Sequence, residues 1–242
     1  MVASHRIVPF AVAILVAATC GTVAAFSLTA ALTAVPAGQV IDELRNGREV
    51  TAPQVRQAVD VSVRAGRIFE PGRYFSDAAM AAGRLAPRER AQVLGSMPMR
   101  TLIEDALVAA PVSPQNWVRR AALQLSEKDY QGARSSLEMS ILLGRYVPGL
   151  TVPRLRIILE LIKHQSDAEM DRYFTEQAII AARTEAPELA AFADKGAAEG
   201  RTQRALYTDF AAYSAYMTHL VGRRAAAKAA QPQPKPQPKR AP

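Results

Sequence analysis

The sequence predicts an all-α protein with an N-terminal transmembrane helix, an antiparallel helical domain and a proline-rich tail. Three observations predict this. No charged residue falls in the run 7–41, helix start and stop signals recur throughout the chain beyond it, and aromatic residues make up only 6% while alanine is abundant. That composition favours helix over sheet.

The uncharged run comes first. Residues 8–28 are enough to cross a hydrocarbon core, which takes about 20 apolar residues in helical form. Pro9 is tolerated in a first turn, and Val35-Pro36-Ala37-Gly38 reads as the exit, so residues 1–35 form the anchor. A cleaved signal peptide is the competing reading, with His5 and Arg6 as a basic start and Val23-Ala24-Ala25 as a small-residue cleavage site. Signal peptides carry apolar cores of about 7 to 15 residues, shorter than this one. The cations flanking the run, Arg6 on one side and Arg45 and Arg48 on the other, do not decide orientation. A short N-terminal flank and a long C-terminal domain favour a cytoplasmic N-terminus. In a Gram-negative cell this expects a single-pass bacterial inner-membrane protein with a periplasmic domain. Cys20 is the only cysteine, so neither an intramolecular disulfide nor a thiolate metal cluster is available. Ala17-Ala18-Thr19 before it lacks the aliphatic residue of a lipidation signal, and Cys20 reads as a buried thiol.

Beyond the anchor, Thr51-Ala-Pro-Gln54 has the form of a capping box, and Val55, Val59 and Val63 then recur every four residues up to Gly66. Pro87 opens another helix, Ser113-Pro114 pairs a hydroxyl cap with a first-turn proline, and Ser166-Asp-Ala-Glu169 is a second capping box. These signals predict helices over 52–65, 73–84, 87–110, 114–126, 130–143, 152–164, 167–184 and 201–224. The helical domain accordingly covers 36–224. Leu206, Phe210, Tyr213, Met217 and Leu220 fall on one stripe of the last helix, which reads as a closing helix docked on the domain, or as a coiled-coil seam.

The formal charge of +8 is concentrated at one end. Arg223, Arg224, Lys228, Lys235, Lys239 and Arg240 are six of the 30 cations, and no acid accompanies them, which leaves 24 cations against 22 acids elsewhere. A basic face on the domain, as nucleic-acid binding requires, is not indicated. The segment 225–242, with alternating proline from Gln231 onward, is expected to be a disordered, extended tail whose cations could touch an anionic envelope surface. His5, His164 and His219 lack metal-ligand spacing, and Glu160 one turn before His164 reads as a surface contact. Phosphate loops, dinucleotide fingerprints, nucleophile elbows and zinc-protease helices are all missing from the sequence. No cofactor, no metal and no catalytic residue is therefore expected.

The middle of the chain resembles the tetratricopeptide repeat, a 34-residue antiparallel helix pair. Trp117 stands at the family's first-helix aromatic position, Ala121 at its small-residue position, and Asp129-Tyr130-Gln131-Gly132-Ala133 at the turn into the second helix. Leu137 and Ser140 follow at the family's spacing, and Ile103, Ala106 and Pro111 suit the preceding unit. The resemblance covers about 99–146. Arg120 and Gln124 depart from it, standing where the family carries large apolar residues, and Arg145 takes the place of its proline. The resemblance implies a helical solenoid whose concave face receives a protein or peptide, with Trp117, Ala121, Tyr130, Ala133, Leu137 and Ser140 as packing residues.

The function expected is that of a non-enzymatic, membrane-anchored scaffold for a protein partner in the envelope, within an assembly or polysaccharide-export system. An accessory subunit of a larger membrane complex, contributing contacts through Gly21 on the anchor, is the alternative. An unrecognised enzyme stands third.

Overall fold

The computed structural model describes residues 4–95, 97–165, 167–194 and 196–230, with side chains from residue 12 onward. The described residues are helical, in twelve helices without a strand. They divide into two compact units, Met1–Leu123 and Gln124–Pro242.

The first unit is built on α1 (Ser4–Arg45), α2 (Ala52–Ile68), α3 (Pro71–Ala82), α4 (Pro87–Leu94), α5 (Met99–Ala109) and the start of α6 (Pro114–Ser126). Its core gathers Ala37, Ile41 and Leu44 of α1 with Val55, Ala58 and Val59 of α2, Ala78 and Ala82 of α3, and Leu102, Ile103 and Ala106 of α5. The helix does not end at residues 35–38: α1 continues to Arg45 and spends its last turns in this core. Pro36 costs one backbone hydrogen bond, and burial of the residues after it holds the helix together. Thr51 starts α2 as expected, its amide and hydroxyl both donating to Gln54 Oε1 at 3.1 and 2.7 Å. Gly66 does not end α2, which runs on to Ile68. A Cβ at Gly66 would lie 2.6 Å from the Phe75 ring, so the glycine serves close packing of α3 against α2. The single helix expected over 87–110 is two, separated where Gly95 takes a positive φ of 56° and Pro98 caps α5.

The second unit comprises the end of α6, then α7 (Tyr130–Leu143), α8 (Thr151–His164), α9 (Ala168–Thr184), α10 (Ala186–Ala193), α11 (Ala197–Leu206) and α12 (Phe210–Ala229). Leu155, Ile158 and Leu161 of α8, Met170, Phe174 and Ala178 of α9, Leu189 of α10, Leu206 of α11 and Tyr216 and Leu220 of α12 are buried. The second capping box is displaced by one residue. Asp167 is the cap, accepting the Met170 amide at 2.9 Å, while Glu169 turns to Arg134 and Ser166 lies outside the described residues. The helix α10 was not expected; Pro187 in its first turn and Glu185 at the junction separate it from α9.

The helix expected over 201–224 divides as well. Asp209 accepts the Ala212 amide at 3.0 Å and starts α12 afresh. The stripe from Leu206 to Leu220 therefore does not exist as one face: Phe210 is 84% exposed, and Ala212, Tyr216 and Leu220 form the buried side. At its other end α12 runs to Ala229, past the expected end at residue 224. Residues 231–242, which hold most of the expected tail, lie outside the described residues.

Candidate functional site

Two regions carry the chemistry, one in each unit. In the first unit every side chain over residues 12–26 is exposed, among them Val12, Ile14, Leu15, Val16, Val23 and Phe26. Cys20 is exposed with them rather than buried in a core. The polar side chains on this stretch are short, and their hydrogen bonds are internal. Thr19, Thr22, Thr29 and Thr33 each donate to the carbonyl four residues earlier at 2.8 Å, so their hydroxyls need no water. Among the described residues α1 is the one helix long and apolar enough to cross a membrane. Burial on α1 begins at Ala30, which packs with Ala65 and Tyr74 while Ala34, Ile68 and Phe69 close around them.

Trp117 and Ala121 also lie in the first unit. The Trp117 indole donates to the Pro111 carbonyl at 2.8 Å, and the Arg120 guanidinium sits 5.4 Å over the ring. Half-buried against the first unit's core, Trp117 ties the α5–α6 turn down. Ala121 is fully buried. One residue before Arg120, Arg119 donates to Ser76 and Asn116 at 2.6 and 2.7 Å. Burial lowers its pKa to about 10 against the opposing pull of Asp77, whose carboxylate also takes Arg45 at 2.6 Å.

In the second unit the turn into α7 explains one departure from the repeat pattern. Gln124 is buried, its amide nitrogen donating to Asp129 at 3.3 Å and its oxygen accepting the Ser136 hydroxyl at 2.6 Å. Asp129 in turn accepts the Gly132 amide at 2.9 Å. A leucine at 124 would leave Ser136 short of this partner. Tyr130 stacks on His164 with ring centroids 4.0 Å apart, and Glu160 stands 3.9 Å from His164 Nε2, so the histidine closes an aromatic contact. Ala133, Leu137 and Ser140 are fully buried along α7.

The most unusual side chain here is Arg154, which is fully buried. Its Nη2 donates to the Ser140 carbonyl at 2.6 Å and hydroxyl at 2.9 Å, its Nε to the same hydroxyl at 3.1 Å, and its Nη1 to Gln177 Oε1 at 3.4 Å. The first partners are neutral, and burial lowers the guanidinium pKa to about 10, opposed by the more distant Glu185. Sequence reasoning overlooked Arg154, although a cation four residues before Ile158 and eight before Ile162 on the apolar stripe of α8 was a legible signal. It also overlooked Arg134, which bonds Glu138 at 2.8 Å, Asp167, and Glu169 at 2.8 Å, raising its pKa chiefly through Glu138 and then Asp167. Beside these, a groove of about 250 Å³ between α7 and α9 is lined by Leu142, Arg145, Tyr173 and Glu176, with Leu142 78% exposed.

The expected tail cations separate into two groups. Arg224 bonds Asp194 and Glu199 at 3.0 and 2.8 Å, and Arg223 reaches Asp194 at 3.9 Å, so both belong to the folded second unit. Lys228 is exposed at the end of α12, while Lys235, Lys239 and Arg240 lie outside the described residues. Among the described residues no group of three or more histidine, cysteine or carboxylate side chains is arranged to hold a metal ion. No protein-family model, no curated protein and no solved structure matches the chain.

Proposed function

We propose that this protein is a non-enzymatic scaffold held in a membrane by α1, with its helical units presented to a protein partner in the bacterial cell envelope. The observation that carries this reading is the exposure of every side chain over residues 12–26, within the uncharged run of α1, where the threonine hydroxyls are satisfied inside the helix. An exposed apolar surface of that length would be a severe aggregation liability in water and is the expected solvent-facing surface in lipid. The partner-binding half of the proposal rests on the tetratricopeptide-like register, in which Ala121, Ala133, Leu137 and Ser140 occupy fully buried positions. It rests also on the α7–α9 groove, where the exposed Leu142 lies with Tyr173 and the Arg145–Glu176 pair. That mixture suits an extended peptide with apolar anchors.

Alkaline carbonate washing of membranes containing the full chain is the test. Retention in the pellet with an intact N-terminus is expected, whereas a mature chain beginning near Phe26 would overturn the anchor.

A further inference from the structure

We infer that the α2–α3 and α5–α6 turns of the first unit together form a contact surface for anionic lipid headgroups, on the leaflet from which α1 emerges. The inference rests on the anchor reading above and adds a second, separable point of membrane contact.

The level of the turns along α1 is the first argument. Ala65, Ile68 and Phe69 at the end of α2 meet α1 at Ala30 and Ala34, whereas α1 residues Ile41 and Leu44 join the core beyond. The α2–α3 turn is therefore level with Ala30. About 20 helical residues cross the hydrocarbon, and counting that many back from Ala30 reaches the neighbourhood of residue 10, just inside Arg6. The uncharged helix before the domain is thus just long enough to span, and the layer of headgroups several ångströms deep falls at the turn.

The second turn lies beside the first. A Cβ at Gly72 would stand 3.0 Å from the Ala110 Cβ and 3.3 Å from the Ala109 Cβ, so the end of α5 abuts the start of α3. This end of the unit exposes Val108 and Val112 at 83% and 72%. No charged residue occurs over 106–116.

Charge is the third argument. The α2–α3 corner carries Arg64, Arg67 and Arg73 against Glu70, with Asp60 one turn further back. The opposite end of the unit carries both signs, with Asp42, Glu43 and Glu49 beside Arg45 and Arg48 at the α1–α2 turn and Glu89 beside Arg56, Arg88 and Arg90 at α4. Cations thus outnumber acids at the corner that faces lipid. The ion pairs at the corner are exposed, Arg64 to Asp60 at 2.7 Å and Arg73 to Glu70 at 3.8 Å, and exposed pairs exchange easily for a phosphate. Arginine stems can lie along apolar surface while the guanidinium reaches the headgroups. Arg73 lines a groove of about 220 Å³ with Ala31 and Ala34 of α1, so it stands directly beside the emerging helix.

The test uses the full chain in vesicles of two parts phosphatidylcholine to one part phosphatidylglycerol, with a quencher attached to some of the headgroups. An environment-sensitive fluorophore on the native Cys20 reports the anchor. In a Cys20→Ala background, the same fluorophore on Val112→Cys reports the proposed surface, and on Arg48→Cys the far end of the unit. The expected result is strong quenching at 112 and little at 48. Replacing phosphatidylglycerol by phosphatidylcholine, or combining Arg64→Gln, Arg67→Gln and Arg73→Gln, should lower quenching at 112 by about twofold or more. A label at 112 as poorly quenched as that at 48, with Cys20 still shielded in the bilayer, overturns the inference alone. Unchanged quenching at 112 in the triple variant overturns its electrostatic basis. A Cys20 label in water overturns the anchor reading itself.

Discussion

Arg154 is held by Ser140 through three hydrogen bonds, two to the hydroxyl at 2.9 and 3.1 Å and one to the backbone carbonyl at 2.6 Å. A buried guanidinium without an adjacent carboxylate depends on such neutral oxygens to replace the water it has lost. Ser140→Ala removes one acceptor that serves two donors and should lower stability by about 1–3 kcal/mol in urea unfolding of the full chain in detergent. An unchanged midpoint would show that the hydroxyl contributes nothing to holding the cation.

Gly132 lies where the chain turns into α7, and a Cβ there would stand 2.2 Å from Asp129 Oδ2 and 2.5 Å from Gln124 Nε2. Alanine is ordinarily the better helix former. Here Gly132→Ala should reverse that preference and destabilise by about 1–3 kcal/mol, because the cap and the buried glutamine must both move. Thermal unfolding followed by circular dichroism distinguishes the two outcomes, and a rise in Tm would contradict the packing of this turn.

The caps of α9 and α12 give stability a defined pH dependence. The Met170 amide and then Arg134 hold the Asp167 carboxyl below the usual carboxylate range, and the Ala212 amide, with help from Arg183, does the same for Asp209. A carboxyl whose folded pKa is depressed contributes fully above its unfolded value of about 4 and loses that contribution as pH falls through the folded value. Tm should therefore fall below about pH 4. Asp167→Asn with Asp209→Asn should start from a lower Tm at neutral pH and show a shallower acid slope.

Ala133 has no exposed surface. Leucine at this position adds three carbons to a filled site, and Ala133→Leu should cost about 1–3 kcal/mol in urea unfolding. A neutral result would place position 133 where side chains can expand, and would remove the support that its burial lends to the repeat register.

The sequence was most legible where local chemistry alone decides the outcome. Thr51 with Gln54 and Ser113 with Pro114 each mark a helix start that needs no tertiary information. Legibility failed where two local signals competed. Ser166 and Asp167 are both competent caps, and the amide of Met170 took the aspartate. It failed again where a break is made by backbone conformation, as at Gly95, or by a cap inside an apolar stripe, as at Asp209. The run of α1 past Pro36 was not legible, because a proline signal is local whereas burial of Ile41 and Leu44 is not. In the candidate site, Trp117 and Tyr130 were found by pattern, but their partners Pro111 and His164 were not, since hydrogen bonds and ring contacts leave no periodicity. Arg154 was passed over because a lone cation on an apolar stripe reads as an interruption.

The continuity of α1 has a mechanical consequence. The helix runs unbroken from Ser4 to Arg45, and Pro36, where a hinge would be expected, lies within the stretch that α2 and α3 brace from Ala30 onward. A helix splinted across its weak point acts as a lever. If α1 is set in a bilayer as proposed, any change in membrane thickness that alters the tilt of α1 swings the first unit through the same angle, and rotation about the helix axis turns it equally. Under the proposed anchoring, bilayer deformation and the heading of the first unit are thus coupled through one shaft without a joint.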